Sequence, residues 1–468
     1  MTTFLVGGVS FLLLPFYTRV LSPADYGVIE MVTLFTSLVG ITIALEISQG
    51  LARHLGDARD DADRIAYAST SLWFTVVAYT VFAVLGILFS GPATRLLFDR
   101  ADHTTIFLVA LFSIWANGLF SIVQVQLRFQ LQSRHFAISN LVNTFISIGL
   151  TVWLVLFRRM GVLGVIVGQL AGRYVGSGIA LYFDRRSLRF TFHREKLWEM
   201  LRFSLPLIPS SLGVFLTLYI DRIAIKELLS LSDVGIFGIA YRLVSVLGLL
   251  IASFQTALVP LIYSNYRRPE APAEIARIFR YFVAAELIVL MVVSLYAKEL
   301  VVFLATPSYY GAASVVALLA SATLLSEMYM FAPGLAIANK TWRIGLISIA
   351  GAAINTGLNI AFIPIWGIRG SALANLVSAA VVFSIHMAYS QKLYRVPHHW
   401  GKLGLSVAMV AAVVAGGSFL PQTLVYMGVK AALIVLVAAA FTRVGIVEMA
   451  DVRQAISLLS GRSGFVRR

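Results

Sequence analysis

Apolar residues run along this chain in long blocks separated by short polar punctuation, and the blocks have the length of bilayer crossings. A helix needs about 20 mostly apolar residues to cross the hydrocarbon core. Reading runs against breaks places crossings near 3–21, 28–50, 67–89, 104–124, 136–157, 162–182, 204–229, 234–262, 278–303, 311–338, 343–364, 368–390, 403–420 and 423–445. The pattern predicts an all-α polytopic membrane protein of about fourteen transmembrane helices. Pro15, Pro206, Pro209, Pro260 and Pro333 fall inside these runs, where neighbouring helices can satisfy the freed carbonyls, so kinked spans are expected.

Composition agrees with this reading. Of 468 residues 59% are hydrophobic and only 13% charged, and there is no cysteine, which excludes disulfide scaffolds, thiolate metal sites and cysteine nucleophiles. Lys and Arg number 37 against 22 acids. In a membrane protein that surplus implies cytosolic loops facing anionic lipid rather than nucleic acid. The first apolar stretch, Phe4 to Val20, leads into Leu21-Ser22-Pro23-Ala24-Asp25 with no small-residue cleavage site, and is read as a span. With the N-terminus cytosolic, the inner segments carry 25 of the 37 basic residues and the outer loops 8, so both termini are expected in the cytosol.

An internal repeat organises the spans. Leu21-Ser22-Pro23-Ala24-Asp25-Tyr26-Gly27-Val28 matches Leu229-Ser230-Leu231-Ser232-Asp233-Val234-Gly235-Ile236 at an offset of 208, and Gly40 then falls on Gly248. Gly161 and Gly164 align with Gly367 and Gly370 at an offset of 206, placing Gly164, Gly168 and Gly172 on Gly370, Ala374 and Ser378. Six spans restore the same orientation, so the halves are parallel copies about an axis along the membrane normal. The expected division is 1–182 for an N-lobe, 183–202 for a basic amphipathic linker, 203–391 for a C-lobe, and 392–468 for two added spans and a cytosolic tail. Transporters built this way hold substrate between the halves near the midplane. For the ridge Gly164, Gly168, Gly172, Gly176, close helix packing is the preferred reading.

Several short motifs carry a family resemblance: the Leu-Ser-Pro-Ala-Asp-Tyr-Gly turn after Phe16-Tyr17-Thr18-Arg19, Gly50-Leu51-Ala52-Arg53, Ser204-Leu205-Pro206-Leu207-Ile208-Pro209, and Ile220-Asp221-Arg222. With them the chain resembles the O-antigen and polysaccharide flippases of the multidrug/oligosaccharidyl-lipid/polysaccharide exporter superfamily. The resemblance implies a secondary transporter, not an enzyme, of the bacterial inner membrane. It implies alternating access through a cationic cavity between two lobes, moving an undecaprenyl-pyrophosphate-linked oligosaccharide from the inner to the outer leaflet for polysaccharide or O-antigen synthesis. It also suggests Arg19 and Arg53 as cavity or gate arginines, with interfacial snorkelling as the alternative. Partner polymerase machinery belongs to the same expectation. Met1 aligns with Pro209, already inside span seven, so the native first span is expected to extend roughly ten residues further upstream.

Charges deep within spans are costly and normally face a bundle interior or watery cavity. Arg173, Asp221, Arg222, Arg242, Glu286 and Glu327 qualify. Arg222 and Arg242 approach the cavity from its outer half, where a guanidinium grips phosphate with paired hydrogen bonds; an ion pair is the alternative. Adjacent on one helix and pointing about 100° apart, Asp221 and Arg222 are expected to be poor partners for each other. Arg173, within the glycine ridge, is open between cargo contact and pairing with Glu286 or Glu327. Glu327, with no basic neighbour one turn away, is a candidate for coupling to a proton or sodium gradient, with Asp221 and Glu286 behind it; pairing with Arg173 or Arg242 is the alternative.

Other chemistry is disfavoured. There is no phosphate-binding glycine loop with Lys-Ser/Thr, and no cofactor is expected. Asp61-Ala-Asp63 lies in a short charge-mixed loop, and His398-His399 lacks a third ligand for zinc. The linker's Arg185, Arg186, Arg189, Arg194 and Lys196, interleaved with Phe190, Phe192 and Trp198, reads as interfacial and held by anionic lipid. The tail from Glu448 is open between the same placement and a solvated end. Two alternative functions stand: a cation-coupled multidrug exporter of the same superfamily, favouring acidic cavity residues, and a membrane-embedded glycosyltransferase, which would need a large outer loop. In this cysteine-free chain, tags that report cytosolic exposure should respond at both termini and near Arg189, and single cysteines near Arg158 or Lys298 should label from outside. Outside labelling near Arg189 would reverse the orientation.

Overall fold

The structure is a computed structural model that describes residues 14–58, 60–98, 103–185, 188–421 and 423–447. Among these, thirteen helical stretches are long and apolar enough to cross a membrane, and no strand occurs. The protein is a multi-pass, all-α membrane protein. The thirteen stretches coincide with the second to fourteenth expected spans, whereas the first expected span is described only from Leu14. The tail from Glu448 and the question of residues upstream of Met1 lie outside the described residues.

In chain order the first half holds α1 (Leu14–Val20), α2 (Pro23–Thr42), α3 (Ile47–Asp57), α4 (Asp61–Leu88), α5 (Ser90–Phe98), α6 (Thr104–Phe129), α7 (Ser133–Leu156), α8 (Gly161–Asp184), α9 (Arg194–Ser204) and α10 (Ile208–Leu228). Then come α11 (Leu231–Asn265), α12 (Ala271–Leu295), α13 (Ala297–Leu304), α14 (Ala313–Glu327), α15 (Gly334–Ile337), α16 (Thr341–Trp366), α17 (Ile368–Leu393), α18 (Trp400–Gly417) and α19 (Leu424–Val444). Several expected spans are interrupted: span nine breaks at Tyr296 between α12 and α13, and span seven opens with a 3₁₀ turn over Leu205–Leu207. Span two breaks between α2 and α3, and span ten breaks after Glu327 into a 3₁₀ turn over Met328–Phe331. Pro333 follows that turn, while Pro260 and Pro364 sit inside continuous helices. After Pro333, the amide of Gly334 donates to Ser390 Oγ at 2.8 Å.

The chain packs as two compact units that divide between Gly238 and Ile239. In the first unit the glycine ridge does what its spacing suggests. A Cβ on Gly168 would stand 2.2 Å from Thr151 Oγ1, and one on Gly172 1.9 Å from Ser147 Oγ, so α7 and α8 meet along a seam that only small residues allow. The linker is docked on protein as well as facing outward. Met200, Leu201 and Ser204 of α9 are buried, Ser204 Oγ donates to Leu45 O, Trp73 Nε1 donates to Arg189 O, and the Arg189 amide donates to Ser69 Oγ. Lys196 Nζ lies 2.8 Å from Asp63 Oδ1 and 3.2 Å from the Tyr67 hydroxyl, which in turn donates to Glu199. Asp63 therefore serves a structural ion pair. Phe190, Phe192 and Trp198 of this segment remain exposed.

The repeat is visible as a contact. Ser22 caps α2 in a box with Asp25, and at the start of α11 Ser230 Oγ likewise accepts from the Asp233 amide and donates to the Asp233 carboxylate. The two copies then pack on each other reciprocally. A Cβ on Gly27 would meet Leu231 O at 2.0 Å, and a Cβ on Gly235 would meet Pro23 O at 1.9 Å. Under the 208 offset Pro23 corresponds to Leu231 and Gly27 to Gly235, so these are one contact seen twice, about a local two-fold.

In the second unit, Phe279, Phe282 and Phe331 form an aromatic cluster with ring centroids 4.9 and 5.2 Å from Phe331. The two added helices are tied on by polar contacts around the start of α13. Buried Lys430 pairs with Glu299 at 2.5 Å, the Tyr296 hydroxyl donates to Met427 O at 2.8 Å, and Lys298 Nζ donates to Ser418 O at 2.8 Å. Gly27→Ala should destabilise the protein by about 1–3 kcal/mol, because backbone cannot retreat from the new methyl group. Gly40→Ala, on the same helix with nothing within 4 Å, should be neutral or stabilise by up to roughly 1 kcal/mol. Thermal unfolding of both proteins in detergent distinguishes them; equal melting points would discount the close approach.

Candidate functional site

Within the first unit, polar side chains from α2 and α10 meet. Arg222 is 3% exposed, and its Nη1 donates to Leu218 O at 2.8 Å and to Asp221 Oδ2 at 3.4 Å. Its Nε lies 3.9 Å from Glu30 Oε2, and its guanidinium carbon stands 5.8 and 5.7 Å from the Tyr219 and Phe237 ring centres. The expectation that Asp221 and Arg222 make poor partners is therefore corrected. Their Cα–Cβ bonds diverge, but the arginine side chain folds back over the preceding turn to the Leu218 carbonyl, which brings it beside Asp221. Glu30 was missed by sequence reading because it sits at the edge of the expected second span; an acid three residues after the repeat's glycine was the available signal.

One helical turn beyond this cluster on α10 lies a cavity of about 400 Å³. Its polar lining is Ser37, Glu46, Ser210, Ser211 and Tyr219, and Phe215 supplies a ring. Ser37 Oγ and the Tyr219 hydroxyl are 3.0 Å apart across it. The break in span two shapes the wall. Leu45 and Glu46 adopt φ of 49° and 52°, a left-handed conformation that costs an L residue with a Cβ roughly 1–2 kcal/mol. The strain is held by neighbours, since the Leu45 carbonyl accepts from Ser204 Oγ at 2.8 Å. Strain of this kind, retained by surrounding structure, points to a site.

The other expected residues are scattered. Arg173 donates to Ser113 Oγ at 2.6 Å, beside the glycine ridge. Arg19 is exposed at the end of α1, and Arg53 forms a surface pair with Asp57 at 3.0 Å, one turn along α3. In the second unit Glu327 ends α14 at the helix break, and its Oε2 accepts from Gln255 Nε2 at 2.7 Å. Its identified partner is thus a neutral amide, which leaves the carboxyl's charge uncompensated by that contact. Arg242 is half-buried on α11. Glu286 on α12 is buried, and its Oε2 has no hydrogen-bond partner. Gln255 and Glu46 are further residues that sequence reading passed over.

A family model described as "Polysaccharide biosynthesis protein" matches residues 16–314. The chain belongs to this family. A curated relative, Lsg locus putative protein 1 of Haemophilus influenzae, is 25% identical over 277 residues; the match spans 56% of this chain and 63% of that protein, under two thirds of its length. Among solved structures, an inward-facing multidrug resistance MATE transporter of the MOP superfamily aligns with TM-score 0.68 at 17% identity, covering 83% of this chain and 95% of that one. The lipid II flippase MurJ, inward closed, aligns with TM-score 0.67 at 13% identity, covering 93% and 98%. At these identities the likeness is one of fold alone.

The Arg222 cluster makes a stability prediction. Arg222→Met should cost about 3–5 kcal/mol, since it takes the guanidinium away from the buried carboxylates it contacts. Adding Asp221→Leu should recover part of that loss, because replacing a buried pair by apolar side chains is often near neutral. Additive losses in the double variant, measured by thermal unfolding, would dissolve the pair.

Proposed function

We propose that this protein is a flippase that moves an undecaprenyl-pyrophosphate-linked oligosaccharide from the inner to the outer leaflet of a bacterial inner membrane, by alternating access, for polysaccharide or O-antigen synthesis. The observation that carries the reading is a conjunction. The chain belongs to a polysaccharide biosynthesis family, and it is built almost entirely of membrane-crossing helices in a fold shared with transporters and with a lipid II flippase. A biosynthetic step assigned to such a fold is most simply the membrane crossing of the carbohydrate precursor, driven as in secondary transporters and not by chemistry on the chain.

In this reading Arg222, Arg242 and Arg173 take the pyrophosphate in the course of the cycle, since guanidinium keeps its charge at any working pH and offers two parallel donors. Arg19 and Arg53 guide the headgroup at the span ends. Glu327 is the coupling group, with Asp221 and Glu286 as seconds, taking up a proton or sodium ion as the helix break rearranges. Support for that role comes from its place at a broken helix, the element that lines ion and substrate sites in transporters. Both termini lie in the cytosol, basic inner loops meet anionic lipid, and the flipped product passes to a polymerase.

Purified protein in vesicles, given the lipid-linked glycan of the strain that encodes it, should flip that lipid. Arg242→Ala should weaken binding by about 30-fold or more, with Arg242→Lys rescuing only in part. Glu327→Gln should bind normally yet lose dependence on the imposed gradient. Efflux of cationic drugs without glycan-lipid flipping would instead establish a multidrug exporter.

A further inference from the structure

We propose that the cavity between α2 and α10 is a sugar subsite, which holds one neutral sugar residue of the cargo apart from the pyrophosphate; the proposal rests on the flippase reading. Its chemistry is that of polyol recognition. Ser37, Ser210, Ser211 and Tyr219 present hydroxyls that both donate and accept, and Glu46 accepts, which matches ring hydroxyls that need partners of both kinds. Phe215 and Tyr219, with ring centroids 5.1 Å apart, add apolar ring surface suited to the C–H face of a pyranose.

Charge separates this site from the phosphate's. The cavity's one charged lining residue is the acid Glu46, so an anionic pyrophosphate is repelled there, while an uncharged sugar is not. Arg222 stands next door, its guanidinium over the Tyr219 ring, so a cationic and a hydroxyl-rich surface share one aromatic side chain. About 400 Å³ lies within the range of small-ligand pockets and admits a sugar residue, not a whole lipid-linked glycan. The Ser37–Tyr219 hydroxyl pair is poised to open, because a sugar hydroxyl inserted between them can accept from one and donate to the other. The strained Leu45–Glu46 turn gives a reason for its own persistence here, as it fixes the carboxylate on the cavity wall.

The test uses full-length protein in nanodiscs and three probes: undecaprenyl-pyrophosphate glycan extracted from the encoding strain, bare undecaprenyl pyrophosphate, and tetraphenylphosphonium. Wild type should prefer the glycan-bearing lipid by about tenfold or more. Ser211→Ala and Tyr219→Phe should shrink that preference while leaving affinity for the bare lipid unchanged, and Glu46→Leu should shrink it while affinity for the bare lipid holds or rises, because a repelling charge is lost. Glu46→Gln should retain most of the preference, because an amide still hydrogen-bonds a hydroxyl. Variants with wild-type melting points that leave the preference intact would overturn the subsite. Tetraphenylphosphonium binding that Glu46→Gln abolishes, with no glycan preference in wild type, would make the cavity a cation site. Wild type that binds neither lipid would sink the flippase reading first, and the subsite with it.

Discussion

The close approach of Gly27 to Leu231 and of Gly235 to Pro23 is the constraint on which the first unit depends. Two helix starts, each capped by a serine hydroxyl bonded to an aspartate three residues on, come within backbone contact because neither glycine carries a Cβ. From there a single stripe of α2 determines the rest. Gly27, Glu30, Ser37 and Ile41 recur at helical spacing, and they face in turn the second motif copy, Arg222, Tyr219 and the cavity. Gly238, the repeat partner of Glu30, is small for the same reason: a Cβ there would lie 2.9 Å from Glu30 Cγ. Where one copy of the repeat puts a carboxylate, the other makes room for it.

A second constraint is the expense of buried charge. Arg222 with Asp221 and Glu30, and Lys430 with Glu299, each find partners within their own neighbourhood. In the proposed transport cycle, release of Arg222 from its carboxylates to a pyrophosphate exchanges one set of charge-assisted hydrogen bonds for another. Glu327 differs, because an amide orients its carboxylate without neutralising it, and it sits where the helix gives way.

The breaks in spans two and ten differ in cause. In span ten the break is chemical, with Pro333 removing a donor and Ser390 capping the amide that follows. In span two there is no proline; residues Leu45 and Glu46 take left-handed conformations that their own chemistry disfavours, and the contact with Ser204 across the unit sustains them. Such a feature has no local sequence signature.

Hydrophobic periodicity alone determined that the chain crosses a membrane many times as helices, because a helix is the only open segment that satisfies its backbone in lipid. The thirteen crossings among the described residues lie where the apolar blocks lie, and the glycine ridge packs as its four-residue spacing requires. The repeat, too, was legible as matching motifs. What those motifs do was decided only in three dimensions: the reciprocal contact needs two segments 208 residues apart to meet. The same holds for the site. Deep charges could be counted from sequence, but Arg222 finding Glu30, Glu327 finding Gln255, and Glu46 being turned onto a cavity wall depend on side-chain reach and tertiary strain, which the order of residues does not encode locally.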